Sequence, residues 1–307
     1  MPDLCIVICT HNRRELLRRT LFHLEQAIRP PNQDVEVLVI ANACADGTAE
    51  WLESRAAGGG RLPMRWLEEP RKGKAHTLNR AVEEISAHAI AIVDDDHRVG
   101  NNYLGSILSA LTRYPEATIF CGRIMPDWDG TEPAWAHDNG PYRIYPLPVP
   151  EFDLGPEEFE IMPGKRTPGG GNLAIRRGVF DRVGRFATEL GPRGHDLGGG
   201  EDSDFVQRAL SSGERLRYVP SMLQYHHINP LRFRLGYLLR KAYQRSRAVV
   251  RISGEPGRKI HAYLWRKMVV YAFNSMVSLS WARRRFYMVR VASVLGEMRG
   301  WRDKKHA

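Results

Sequence analysis

Three consecutive carboxylates, Asp94-Asp95-Asp96, follow the apolar run Ala89 to Val93. Like charges at this spacing repel and Asp is a weak strand former, so the triplet makes a poor structural element. A divalent cation would relieve the repulsion, and oxygen ligands suit Mg²⁺ or Mn²⁺. If the strand continued, Asp94 and Asp96 would point the same way and could share one metal or divide metal and ribose contacts. A solvated acidic turn is the bland alternative. The position at the tip of an apolar strand favours the metal.

A second acidic cluster, Glu201-Asp202-Ser203-Asp204, follows Gly198-Gly199-Gly200 and leads into Phe205, Val206, Ala209 and Leu210 at helical spacing. Glycines permit close backbone approach, and acidic residues in a first helical turn complement the macrodipole. Helix capping therefore competes with a second role, in which one of these carboxylates is a general base facing the strand-tip metal. His226-His227 lies on an extended segment, where neighbours face opposite ways, so only one imidazole can join such a site.

These groups need a frame that brings them together. Leu4 to Cys9, Val35 to Ala41, Met64 to Glu68 and His88 to Val93 read as strands, the first a continuous apolar run expected of a parallel strand covered on both faces. Helical spacing over Arg14 to Ala27, Ala49 to Ala56 and Ala75 to Ala87 alternates with them. That order argues for a doubly wound α/β sheet, whose ligands collect at the carboxyl ends of strands. A helix at Tyr103 to Tyr114 and a strand at Thr118 to Arg123 follow. Residues 126–168, rich in Pro, Gly and aromatics, read as a loop-dominated insertion beside a site. Strands at Leu173 to Ile175 and Leu216 to Val219 and a helix at Arg177 to Val183 complete the body.

With 307 residues, 43% of them hydrophobic, the chain can bury a large core, which excludes disordered and fibrous classes. Four cysteines without a C-x-x-C pair suit a reducing compartment. Neither a signal peptide nor a transmembrane helix is expected, the apolar run from Met268 to Trp281 being short and interrupted by Asn and Ser. The net charge of +10 is unevenly spread: residues 231–307 hold 19 Lys and Arg against Glu255, Glu297 and Asp303, whereas the remainder is net negative. An acidic body and a basic, amphipathic helical region do different jobs.

In this order, Ile6 to Arg13, Asn42 to Thr48, Gly73 to Asn79, Val93 to Asp96, Gly169 to Ala174, Gly200 to Phe205 and Pro220 to His226 resemble the family 2 glycosyltransferases of GT-A fold, a Rossmann-like, doubly wound mixed sheet. The resemblance covers about residues 3–230. It implies a catalytic domain over 1–230 that takes a nucleoside-diphosphate-sugar, a UDP-sugar by default, and inverts the anomeric centre. It implies further that Thr10, Asn12, Arg13, Asn42, Asp46, Lys74, Asp94 and Asp95 line the nucleotide pocket. Asp96 and His226 become metal ligands for Mn²⁺ or Mg²⁺, with His227 as fallback. Asp202 becomes the catalytic base, Glu201 an acceptor contact, and Gly170, Gly171 and Asn172 the floor where donor and acceptor meet. One position departs: the family's acidic residue before Asn42 is Ala41 here, which leaves guanosine or thymidine open.

For residues 231–307 a packed helical subdomain competes with attachment to an anionic membrane. Trp265-Arg266-Lys267 and Trp281 to Tyr287 have the composition of an interfacial helix, and the chain shows no nucleic-acid recognition module. The expected setting is cytoplasmic, peripheral on the inner face of the plasma membrane, with a glycan or polyprenyl-linked acceptor in polysaccharide or cell-envelope synthesis. A sugar nucleotidyltransferase and a non-catalytic glycan- or membrane-binding relative are the alternatives. The first would carry its glycine-rich loop after the first strand, where Thr10-His11-Asn12-Arg13 stands.

Overall fold

The computed structural model describes residues 1–165, 167–190, 200–253 and 261–304, without the side chains of 251–253 and 304. In chain order the first elements are β1 (Leu4–Thr10), α1 (Arg14–Gln26), β2 (Val35–Asn42), α2 (Thr48–Ala57), β3 (Met64–Glu69), α3 (Lys74–Glu84) and β4 (Ala89–Asp94). Then come β5 (His97–Val99), α4 (Tyr103–Arg113), β6 (Ile119–Cys121), β7 (Ile124–Asp127), β8 (Phe159–Ile161), β9 (Asn172–Arg176) and α5 (Gly178–Val183). The chain continues through α6 (Glu201–Ser211), β10 (Leu216–Tyr218), β11 (Gln224–His227), α7 (Leu235–Ser253), α8 (Ala262–Val277) and α9 (Trp281–Lys304).

The main sheet runs β3-β2-β1-β4-β9-β6-β10-β8. The strands from β3 to β4 are mutually parallel, and β9 is antiparallel to both neighbours, which makes the sheet mixed. Side chains alternate across it. Cys5, Val7, Leu38, Ile40, Ile90 and Ile92 pack on the face covered by α3, α5 and α6. Leu4, Ile6, Ile8, Val37, Val39 and Val93 pack on the face covered by α1, α2 and α4. Burial on both faces is why these strands read as unbroken apolar runs. All four cysteines are free.

The order reverses at β1: β2 and β3 lie to one side and β4 to the other, so a crevice opens at the carboxyl ends of β1 and β4. A second, three-stranded sheet, β5-β11-β7, begins just beyond that crevice. Strand β4 stops at Asp94, and the chain turns through Asp95 and Asp96 before β5. The continuous strand that would align Asp94 with Asp96 therefore does not form.

Residues 1–127 and 151–227 make one compact unit and residues 128–150 and 228–307 a second. The expected insertion over 126–168 is thus divided between them. In the second unit Ala136, Val149, Ile228 and Phe233 form one small core, and Leu264, Val294 and Met298 another. Helices α7 and α9 approach closely because Gly296 and Gly300 have no side chains: a Cβ on Gly296 would lie 2.1 Å from the Tyr243 carbonyl oxygen. Arg247 and Arg299 both bind Asp303 along this seam, at 2.6 and 3.0 Å. Among the described residues, no helix is long and apolar enough to cross a membrane.

Candidate active site

The loop after β1 and the loop after β4 lock together. Thr10 Oγ1 donates to Asp95 Oδ2 at 2.7 Å, and Arg13 Nη1 reaches both Asp95 Oδ1 and Asp96 Oδ2 at 3.1 Å. Thr20 Oγ1 from α1 donates to the Asp95 carbonyl at 2.9 Å. Burial, then the neighbouring Asp96 charge, pushes the Asp95 carboxyl up to about 6. Asp95 is thus an anchor of the turn, 5% exposed, while Asp94 and Asp96 diverge from it.

Asp94 meets Lys74, the first residue of α3, whose Nζ lies 2.5 Å from Asp94 Oδ1. Burial opposes ionisation, yet the Lys74 ammonium holds the Asp94 carboxyl well below its ordinary range. Lys74 in turn feels Asp94, Asp202 and Glu201, which outweigh its burial and keep it charged. This one ammonium ties the strand-tip aspartates to the second acidic cluster.

Asp96 faces two imidazoles. His226 Nε2 is 3.5 Å from Asp96 Oδ2 and His97 Nε2 is 3.9 Å from Asp96 Oδ1. The three residues place one ligand atom each within 4.8 Å of one another. His226 was expected; His97 was not. The β5–β11 register sets His97 directly opposite His226, with ring centroids 5.1 Å apart. His97 is oriented from behind: its Nδ1 contacts Gln224 Oε1 at 2.5 Å, while Gln224 Nε2 donates to Tyr103 Oη at 2.7 Å and Asn172 Oδ1 at 3.2 Å. Gln224 therefore accepts from Nδ1–H, which leaves His97 Nε2 as the acceptor nitrogen facing Asp94 and Asp96. His226 Nδ1 lies 2.6 Å from the His227 carbonyl, which likewise turns Nε2 toward Asp96. A carboxylate and two oriented imidazoles fit a divalent cation. His227 points the other way, its Nδ1 3.3 Å from Arg19 Nη1, so the fallback ligand lies off the site.

Consecutive glycines join this cluster to the second. The Gly170 N–H donates to Asp202 Oδ2, and a Cβ there would strike the Asp202 side chain. A Cβ on Gly171 would lie 2.6 Å from both Asp94 Oδ2 and His97 Cε1. Asp202 Oδ1 also accepts from Ser203 N at 2.6 Å, so both carboxylate oxygens are oriented. Glu201 is buried to 2% exposure, and among the described residues its Oε2 has no hydrogen-bond partner. Burial, then the Asp202 charge, raises the Glu201 carboxyl above the ordinary glutamate range. Of the glycine run before it, Gly198 and Gly199 lie outside the described residues.

Several of the residues expected to contact ligands also hydrogen-bond within the protein. Asn172 is 1% exposed and gives its carboxamide to the Arg123 and Met222 carbonyls, Tyr103 and Gln224. It braces the floor from below. Asn42 binds the Glu69 and Arg71 carbonyls and accepts from Gly73 N, which fixes the approach to Lys74. Asp46 accepts from Arg14 N and from Thr48, tying the starts of α1 and α2. Asn12, at φ 52°, accepts from Ala45 N at 2.7 Å. Beside the apolar Ala41, the β2–β3 register sets a carboxylate one strand over: Glu69, opposite Asn42 and paired with Arg71 at 2.8 Å.

Comparison with known proteins places this arrangement in context. The family model described as glycosyl transferase family 2 matches residues 5–184. The chain is 21% identical to a glucosyl-dolichyl phosphate glucuronosyltransferase of Haloferax volcanii, over 89% of this chain and 86% of that protein. It is 27% identical to the succinoglycan biosynthesis protein ExoU of Rhizobium meliloti, over 71% of this chain and 60% of that one. Among solved structures, the mannosyltransferase PcManGT of Pyrobaculum calidifontis, in complex with GDP-Man and Mn²⁺, superposes with a TM-score of 0.58 at 17% identity, covering 95% of this chain and 86% of that one. S. aureus TarS 1-349 in complex with UDP gives 0.58 at 15% identity, covering all of this chain and 90% of that one. The architecture is that of GT-A glycosyltransferases.

Proposed function

Because the chain belongs to glycosyl transferase family 2, we propose that it moves a sugar from a nucleoside-diphosphate-sugar, UDP-linked by default, to a hydroxyl of a glycan or lipid-linked glycan in one inverting displacement. The observation that carries this reading is the convergence, through Gly170 and Gly171, of Asp202 with Asp94 and the Asp96–His97–His226 cluster. Asp96, His97 and His226 would hold a divalent cation, and two imidazoles beside one carboxylate favour Mn²⁺ over Mg²⁺. When bound, that cation neutralises the charge that gathers on the departing diphosphate.

The chain's own residues do the remainder. Thr10 and Arg13 hold the Asp95–Asp96 turn against the loop after β1, so the carboxylate of Asp96 is fixed before any ligand arrives. Lys74 keeps Asp94 ionised at the crevice and puts positive charge where a diphosphate would lie. Asp202, its carboxylate set by the Gly170 and Ser203 amides, takes the proton from the acceptor hydroxyl as that oxygen attacks. Glu201 borders the acceptor. A single displacement needs no covalent intermediate and inverts the anomeric centre.

The acceptor in this reading is polyprenyl-linked and the enzyme works at the inner face of the plasma membrane. The basic excess of residues 231–307 supports that, as does the dolichyl phosphate named in the Haloferax relative. Nucleoside diphosphate release from UDP-, GDP- and dTDP-sugars, with Mn²⁺ or with chelator, tests the chemistry. Metal-dependent release that acceptor accelerates supports it, and pyrophosphate formation from UTP would instead indicate a nucleotidyltransferase. Sedimentation with anionic vesicles at low and high salt tests the location.

A further inference from the structure

The second compact unit contains a cavity of about 520 Å³ that the transfer chemistry does not use. It lies between the 144–148 segment and helices α7, α8 and α9. Ile144, Leu147, Leu238, Val250, Val289 and Trp301 give it apolar walls. Lys241, Arg245, Lys267 and Arg290 also line it, against the single carboxylate of Glu297. Among the described residues none of these four cations has an ion-pair partner. Lys267 lies over the Tyr263 ring at 4.8 Å and Arg290 over the Phe286 ring at 4.9 Å, contacts that leave their charge uncompensated.

An apolar hollow bordered by three net positive charges matches an amphiphile with an anionic head. Neither a free anion nor a neutral hydrocarbon would use both halves. Helix α8 extends the apolar half. Tyr263 and Lys267 belong to the lining, and at helical spacing from them the same helix holds Val270 and Val277 at 46% and 50% exposure. Leu279 and Trp281, just after it, are exposed as well. Large side chains left in water in one continuous stretch are costly unless something apolar covers them. Basic residues interleaved with them set the sign of that partner's charge.

We propose that this cavity binds the phosphate head and first apolar segment of a membrane lipid, with the tail continuing along the exposed face of α8. Lys241, Arg245, Lys267 and Arg290 would share the phosphate, and the apolar walls would take the chain nearest it. The cavity shares no residue with the carboxylate–imidazole cluster, and its occupancy can be measured without any sugar transfer.

The test is calorimetric titration of the full-length protein with four probes: farnesyl phosphate, dihexanoylphosphatidic acid, inorganic phosphate and farnesol. At least one lipid phosphate should bind tenfold or more tighter than both inorganic phosphate and farnesol. Lys241→Gln combined with Arg290→Gln should weaken it at least tenfold and leave nucleotide-sugar hydrolysis unchanged. Which lipid phosphate binds decides between a prenyl carrier and a bilayer phospholipid. Binding that the double substitution leaves intact, or that inorganic phosphate or farnesol matches, overturns the proposal, as does failure of both lipid phosphates. Vesicle sedimentation that persists while both lipid phosphates fail would sink the cavity site and spare membrane association.

Discussion

Adding one methyl group at Gly171 perturbs the site at its narrowest point. The new Cβ would stand 2.6 Å from both Asp94 Oδ2 and His97 Cε1, where ordinary contacts begin at 3.4 Å. Both must therefore give way by about 0.8 Å, or the residue 171 backbone must back off by as much. Asp94 is held by Lys74 at 2.5 Å and His97 by Gln224 at 2.5 Å, so neither yields without losing its partner. Overpacking of this kind costs about 1–3 kcal/mol of stability. The larger effect falls on activity, since a displacement approaching 1 Å lowers kcat/KM by about 10²-fold. Gly171→Ala should therefore remain folded by circular dichroism, lose about two orders of magnitude in kcat/KM for sugar transfer, and bind Mn²⁺ about tenfold more weakly. Gly170→Ala should lose as much activity through Asp202 while keeping Mn²⁺ affinity. A Gly171→Ala enzyme with unchanged kcat/KM and unchanged metal affinity would refute the assignment of this glycine as the spacer between Asp94 and His97.

Other consequences follow from the same geometry. Asp202→Asn should lower kcat by about 10²- to 10⁴-fold, with donor affinity measured by calorimetry unchanged. Gln224→Ala removes the group that orients His97 and should weaken Mn²⁺ binding about 10- to 100-fold, which fluorescence or EPR titration will show. Glu201 has a raised carboxyl, so the native state holds that proton more tightly than the unfolded chain. Its contribution is fully present below the ordinary glutamate pKa of 4.5 and is lost as pH rises through the native value. Glu201→Gln should accordingly stabilise the protein by about 1 kcal/mol near neutral pH, with the gain vanishing toward pH 4 in denaturant titrations. Gly296→Val forces apart α7 and α9 and should cost more than about 3 kcal/mol in the second unit, read as a lowered melting transition.

The parts of the molecule visible in the sequence are those where one physical signal dominates. Strands β1, β2 and β4 are apolar without interruption because both faces are covered, and their ends were readable to within a residue or two. The carboxylate triplet stood out because charge at a strand tip has few structural uses. Strand β5 is three residues long, and an isolated His97 after three aspartates shows no alternation to read. Only the β5–β11 pairing makes it a neighbour of His226, although Gln224 and His226 at period two were a usable hint. Asn172 and Asn42 carry residue types that bind ligands readily, and a sequence cannot tell that their amides also bind neighbouring carbonyls within the protein. The grouping of residues 128–150 with the C-terminal helices rests on contacts far apart in the chain, such as Trp135 beneath Arg285 at 4.0 Å, which composition does not encode.

The central claim is that Asp96, His97 and His226 form one cation site. Pulsed EPR of the Mn²⁺-loaded protein reads that directly through coupling to imidazole nitrogen. Two coupled ¹⁵N-histidine nitrogens in the wild type, reduced to one in His97→Ala and in His226→Ala, is the expected result. Mn²⁺ bound with no histidine coupling, or with coupling that both substitutions leave unchanged, would contradict it.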